Sequence, residues 1–105
     1  MPKQKKLNLD ALFAFVLRTK QYIVGRDTLK RNKRKLHFVL ITEDLSENGL
    51  KFISKNFDEI PIIQKYTMDE LEEKLQLNGT KIVGFKKSDL SKAVYEQLKN
   101  WRLNG

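Results

Sequence analysis

The stretch LHFVLITEDLSENG, Leu36 to Gly49, changes character halfway along. Leu36 to Ile41 is apolar apart from His37, without the polar alternation of a strand that has one face in water. Such a run predicts a strand covered on both faces, and therefore a central strand of an α/β sheet. Beyond it, Asp44 or Ser46 is placed to cap a helix whose apolar stripe is Leu50, Ile53 and Phe57.

The same alternation extends in both directions. Upstream, Leu9, Leu12, Phe13, Val16 and Leu17 fall at helical spacing, with Asn8 or Asp10 as the start. Tyr22-Ile23-Val24 is a short β-prone run closed by Gly25. A basic helix follows over residues 27–35, with Asp27 or Thr28 as its N-cap. Downstream, Ile60-Pro61-Ile62-Ile63 reads as a strand whose proline suits an edge. Thr67 and Glu70 form a capping box ahead of Met68, Leu71 and Leu75. Leu77 to Thr80 is a turn and Lys81 to Phe85 a strand. Ser88 opens a last helix with Leu90, Val94, Leu98 and Trp101 facing inward. The order α-β-α-β-α-β-α-β-α predicts a three-layer α/β/α sandwich around a central four-stranded sheet. At 105 residues, 40% of them hydrophobic, the expectation is a single domain over 1–105. Residues 1–7, with Lys3, Lys5 and Lys6, are expected to form a flexible basic arm.

Charge is unevenly spread along the chain. The first 35 residues hold eleven Lys/Arg against Asp10 and Asp27, which leaves +9 of a formal +8, so the remaining residues sum to −1. Residues 24–35, VGRDTLKRNKRK, concentrate this excess, with Asp27 as the one acid in the segment. Like charges at i+3 and i+4 repel, and phosphates neutralise them, so the pattern points to a nucleic-acid surface. An acidic membrane surface is the less favoured alternative. The backbone N–H groups after Gly25 add an expected anion site.

Catalytic constellations are poorly represented. The sequence has no cysteine and one histidine. There is thus no basis for a disulfide, a thiolate metal site or a histidine-assisted nucleophile, and the expectation is no metal and no cofactor. His37, inside the apolar run, reads as a structural histidine with its hydrogen bonds satisfied. Glu43 and Asp44 are the only candidates for an acid/base or metal role, and helix capping explains them better. The basic N-terminus lacks the long apolar core and small-residue cleavage site of a signal peptide, so a cytoplasmic location is expected.

Four segments taken in order, YIVGRDTLKR (22–31), LHFVLITEDLSENG (36–49), IPII (60–63) and TKIVGFKKSDLSKAV (80–94), resemble the ribosomal-protein family that binds kink-turn RNA. This is the L-seven-Ae and L-thirty-e group, and the likeness is greatest to its bacterial YlxQ-type members. LITEDLSENG carries the most specific part of the resemblance. The resemblance implies a non-enzymatic RNA-binding protein, with kink-turn or ribosomal RNA as partner and possible association with ribosomes; a monomer is the separate expectation. It implies RNA contacts at Gly25, Arg26, Asp27 and Thr28, at Lys30 and Arg31 one turn on, and at the loop Leu77, Asn78 and Gly79. Lys33 and Arg34 extend the basic surface. The family's kink-turn readers carry Asn-Glu where this chain has Asp27-Thr28. An alternative therefore stands beside the first reading: a ribosome-associated protein-interaction module of the same fold that has lost selective kink-turn recognition.

Overall fold

The computed structural model describes residues 8–105. The expected basic arm, residues 1–7, lies outside the described residues. Five helices alternate with four strands: α1 (Leu9–Thr19), β1 (Tyr22–Ile23), α2 (Arg26–Arg31), β2 (Leu36–Ile41), α3 (Glu47–Asn56), β3 (Ile62–Gln64), α4 (Met68–Leu75), β4 (Ile82–Lys86) and α5 (Asp89–Leu98). Short 3-10 turns follow α2 at Lys33–Lys35 and α5 at Lys99–Trp101.

The strands form one mixed sheet in the order β1-β4-β2-β3. β2 runs parallel to β3 and antiparallel to β4, which is antiparallel to β1. Two apolar layers cover the sheet. On one face Phe13 and Val16 of α1, Leu71 and Leu75 of α4, and Val94 and Leu98 of α5 meet Phe38, Leu40 and Phe85. Phe38 and Phe85 stack with ring centroids 4.5 Å apart. On the other face Leu29 of α2 and Ile53 of α3 meet Val39, Ile41 and Ile82. The domain is thus the α/β/α sandwich that the alternation predicts, and β2 is buried along its length except at half-buried His37.

Local signals are mostly realised. Asn8 caps α1 and Ser88 caps α5. Thr67 and Glu70 complete the capping box of α4. Ser46 caps α3, while Asp44 accepts a hydrogen bond from the Met68 amide (3.2 Å) and so caps the start of α4 instead.

Several expectations are corrected. The basic helix begins at Arg26 with Gly25 as its N-cap, and neither Asp27 nor Thr28 caps it. It ends at Arg31, because Asn32 turns its side chain back onto the Thr28 carbonyl (2.8 Å) and the chain tightens into a 3-10 turn. Trp101 is 41% exposed rather than in the core, with the Lys65 ammonium 4.2 Å from its ring centre. α5 stops at Leu98, so the step to Trp101 no longer returns the chain to the buried stripe. His37 is not satisfied: its Nε2 is buried and meets no hydrogen-bond partner among the described residues.

The C-terminus makes an unanticipated contribution. Arg102 bridges Ile63 in antiparallel fashion, and the Leu103 amide donates to the Ile62 carbonyl (2.7 Å). Asn104 then accepts from the Ile62 amide (2.8 Å) and donates to the Asp58 and Ile60 carbonyls (3.0 and 2.8 Å). The tail thereby covers the exposed edge of β3.

Candidate nucleic-acid interface

Where β2 ends and β4 begins, segments distant in sequence enclose a groove of about 460 Å³. It is lined by Val24, Gly25 and Arg26 at the entry to α2, by Gly79, Thr80 and Lys81 ahead of β4, and by Leu45 and Ser46 ahead of α3. Leu29 and Ile82 supply an apolar floor.

Gly25 makes this entry geometry possible. It sits at φ 93°, a conformation that strains any residue with a Cβ, although the nearest atom to an added Cβ would be the Thr28 hydroxyl at 3.6 Å. The limitation is therefore backbone conformation and not space. Helix α2 is held to the sheet by Leu29, its one buried residue. Leu29 lies where the sheet offers a glycine: a Cβ on Gly84 would fall 2.5 Å from a Leu29 methyl. The missing side chain of Gly84 admits the helix to the sheet.

Charge is placed around this frame. The Arg26 guanidinium lies over the Phe52 ring of α3, 5.0 Å from its centroid, which limits its freedom without neutralising it. Lys81 donates to the Asp44 carbonyl at 3.3 Å. Lys30 and Arg31 lie exposed on α2 as it leads away from the groove. With six residues, α2 is too short for its dipole to dominate, so the positive potential here comes from side chains.

The predicted site residues separate into three groups. Gly25, Arg26 and Gly79 line the groove together, with Asp27 and Thr28 adjoining on the first turn of α2. Leu77 is half-buried against the α1/α4/α5 layer, which leaves Asn78 and Gly79 at the exposed tip of its loop. Lys33 and Arg34 face a different groove, where β2 begins. Sequence reasoning did not single out Lys81, Leu45 or Phe52. Lys81 carried a signal as the first residue of a predicted strand next to a candidate loop. The pairing of Phe52 with Arg26 had none, because it joins two helices through the fold.

The second groove, about 550 Å³, is lined by Lys33, Arg34, His37 and Lys87 with Leu36, Glu59, Ile60 and Pro61. Lys33 pairs with Glu59 at 2.8 Å, and that ammonium holds the exposed Glu59 carboxyl below its usual range. Burial, then the nearby charges of Lys92 and Lys87, hold the His37 imidazole below its ordinary pKa, with Glu96 acting in the opposite direction.

In class, this is a three-layer α/β/α protein with a mixed four-stranded sheet and a basic segment along one layer. Two solved structures share that fold. A protein of unknown function from Bacillus halodurans superposes with a TM-score of 0.75 at 14% identity, over 85% of this chain and 94% of that one. The Giardia lamblia 15.5kD RNA binding protein superposes with a TM-score of 0.70 at 15% identity, over 94% of this chain and 90% of that one. The sequence itself matches no protein-family model and no curated protein.

Proposed function

We propose that the chain is a non-enzymatic, cytoplasmic RNA-binding protein that holds structured RNA of the kink-turn or ribosomal type at the groove beside α2. One observation carries this reading. Gly25-Arg26 and Gly79-Lys81, more than fifty residues apart in sequence, line one cationic groove together with buried Leu29 and Ile82. The shared fold with the Giardia RNA binding protein supports it.

The chemistry follows from the lining. Structured RNA is recognised mainly at unpaired nucleotides, whose faces are free to stack and whose backbone is splayed. Gly25 and Gly79 carry no side chain, so a sugar or base is able to approach the backbone closely at both positions. Leu29 and Ile82 offer apolar contact beneath. Arg26 and Lys81 meet the flanking phosphates, and Lys30 and Arg31 continue that track along α2. Arg26 is already steadied by Phe52, so less side-chain entropy is lost on binding.

The test is binding to a kink-turn RNA and to a matched regular duplex over a range of salt. Preference for the kinked RNA, lost in Arg26→Glu, is the expected result. Equal and steeply salt-dependent binding to both would reduce the groove to a non-selective polyanion surface. No binding to either would favour the protein-interaction module, for which the carboxylate of exposed Asp27, in place of an amide, is the specific motivation.

A further inference from the structure

The groove where β2 begins has a composition that the first groove does not explain. Its cations come from two places in the chain, Lys33 and Arg34 in the turn after α2 and Lys87 just past β4, while Lys92 of α5 acts on His37 from nearby. The Lys87 amide donates to the Lys35 carbonyl at 2.8 Å, which ties the end of β4 to the basic turn. Among the described residues lining this groove, Glu59 is the one acid, and it is engaged by Lys33. Beneath them lie Leu36, Ile60 and Pro61. His37 adds a buried, unpartnered Nε2, its ring edge-on to Tyr95 at 5.2 Å.

Both grooves border the α2/α3 layer, and the basic segment 26–35 runs from one to the other. The six residues of β2, at about 3.3 Å each, separate them by roughly 20 Å. We propose that the second groove binds the phosphate backbone of a helical stem belonging to the same RNA, beyond the nucleotides held at the first groove. This rests on the RNA reading of the first groove. The contact is to backbone alone, so it adds affinity and orientation without reading sequence. Glu59 partly masks Lys33 until a phosphate displaces it.

His37, the sole histidine, reports on this groove specifically. The experiment titrates its Hε1 resonance by NMR in the full chain, free and bound to a kink-turn RNA with long stems, to the same RNA with short stems, and to inorganic phosphate. Affinities are measured in parallel for wild type, Lys87→Glu, Glu59→Gln and Arg26→Glu. The long-stem RNA is expected to raise the His37 pKa and the short-stem RNA to leave it in place. Lys87→Glu should weaken long-stem binding alone and reduce its salt slope by about 1. Glu59→Gln, a gain of affinity that misfolding does not mimic, should tighten long-stem binding alone. Arg26→Glu should weaken both RNAs. If both RNAs bind but neither stem length nor the Lys87 and Glu59 changes matter, the second groove is not an RNA surface and the first survives. If inorganic phosphate alone moves His37, the groove is a small-anion site instead. If wild type binds neither RNA, both readings fail together.

Discussion

At the end of the sheet where β2 stops, the groove is shaped by backbone: two glycines at positive φ, a helix entry and an apolar floor, with Arg26 and Lys81 at the margins. At the end where β2 starts, the groove is shaped by side chains: Lys33, Arg34 and Lys87 line it with a single carboxylate and His37, whose buried Nε2 has no hydrogen-bond partner among the described residues. A backbone-built groove fixes the shape of what enters it, because its donors and walls do not rearrange. A groove built from long cationic side chains adapts to any phosphate track and discriminates little. The same basic segment serves both ends, so residues adjacent in sequence are expected to fail in different ways when changed.

The largest expected effect removes the comparison altogether. Leu29 is fully buried, forms part of the first groove's floor and anchors the helix whose continuation carries the cations of the second. Leu29→Ala should cost about 2–5 kcal/mol in denaturant unfolding and weaken RNA binding at both ends. A loss confined to one groove would show that α2 and the following turn are positioned independently.

Gly25→Ala sharpens the distinction between backbone and side chain. The strain at φ 93° should cost roughly 1–3 kcal/mol, and the loss of RNA affinity should persist at every salt concentration. The corresponding loss in Lys87→Glu should shrink as salt rises, since it removes a counterion-releasing contact. Identical salt profiles for the two variants would erase the difference between the ends.

Asn104→Ala acts on one end only. It deletes three hydrogen bonds to the Asp58–Ile62 stretch that walls the second groove, at about 0.5–1.5 kcal/mol each. It also leaves the Ile62 amide at the edge of β3 without its partner. The variant should be less stable and more prone to self-associate in sedimentation, with short-stem RNA binding intact.

The smallest effect is the pH response of His37. Its folded pKa is lowered, chiefly by burial and then by Lys92 and Lys87, so the unfolded chain takes up the proton more readily. Its contribution is therefore complete above the unfolded value of about 6.5 and declines as the pH falls below it. Thermal unfolding should show wild type losing stability between neutral and mildly acidic pH, and His37→Gln losing less. Equal losses would mean that neither burial nor the lysines lower the His37 pKa in the folded chain.

Legibility in the sequence followed the range of the interactions involved. The apolar run of β2, most of the helical stripes and the caps are short-range devices: Thr67 and Ser88 were readable outright, and Asn8 and Ser46 each as one of two candidates. Where a local signal competed with a distant one, reading failed. Asp44 lies one turn ahead of α3 yet caps α4, because β2 delivers it beside Met68. Trp101 continues a stripe on paper, but the 3-10 turn after Leu98 takes it out of phase. The basic segment looked like one surface because charge counts carry no direction. Asn32 breaks it so that Arg26 and Lys33 serve opposite ends of the sheet.

By itself, then, the sequence determined the element order, the buried central strand and the concentration of positive charge in the first third, since period, capping and composition are properties of neighbouring residues. Only the tertiary structure decided that Gly25 and Gly79 line one groove, that Phe52 steadies Arg26, that Gly84 admits Leu29 and that Asn104 pairs with the edge of β3. Each of these joins segments separated by at least two dozen residues. Which segments meet depends on strand order and on the layer each helix covers, and no window of sequence contains that information.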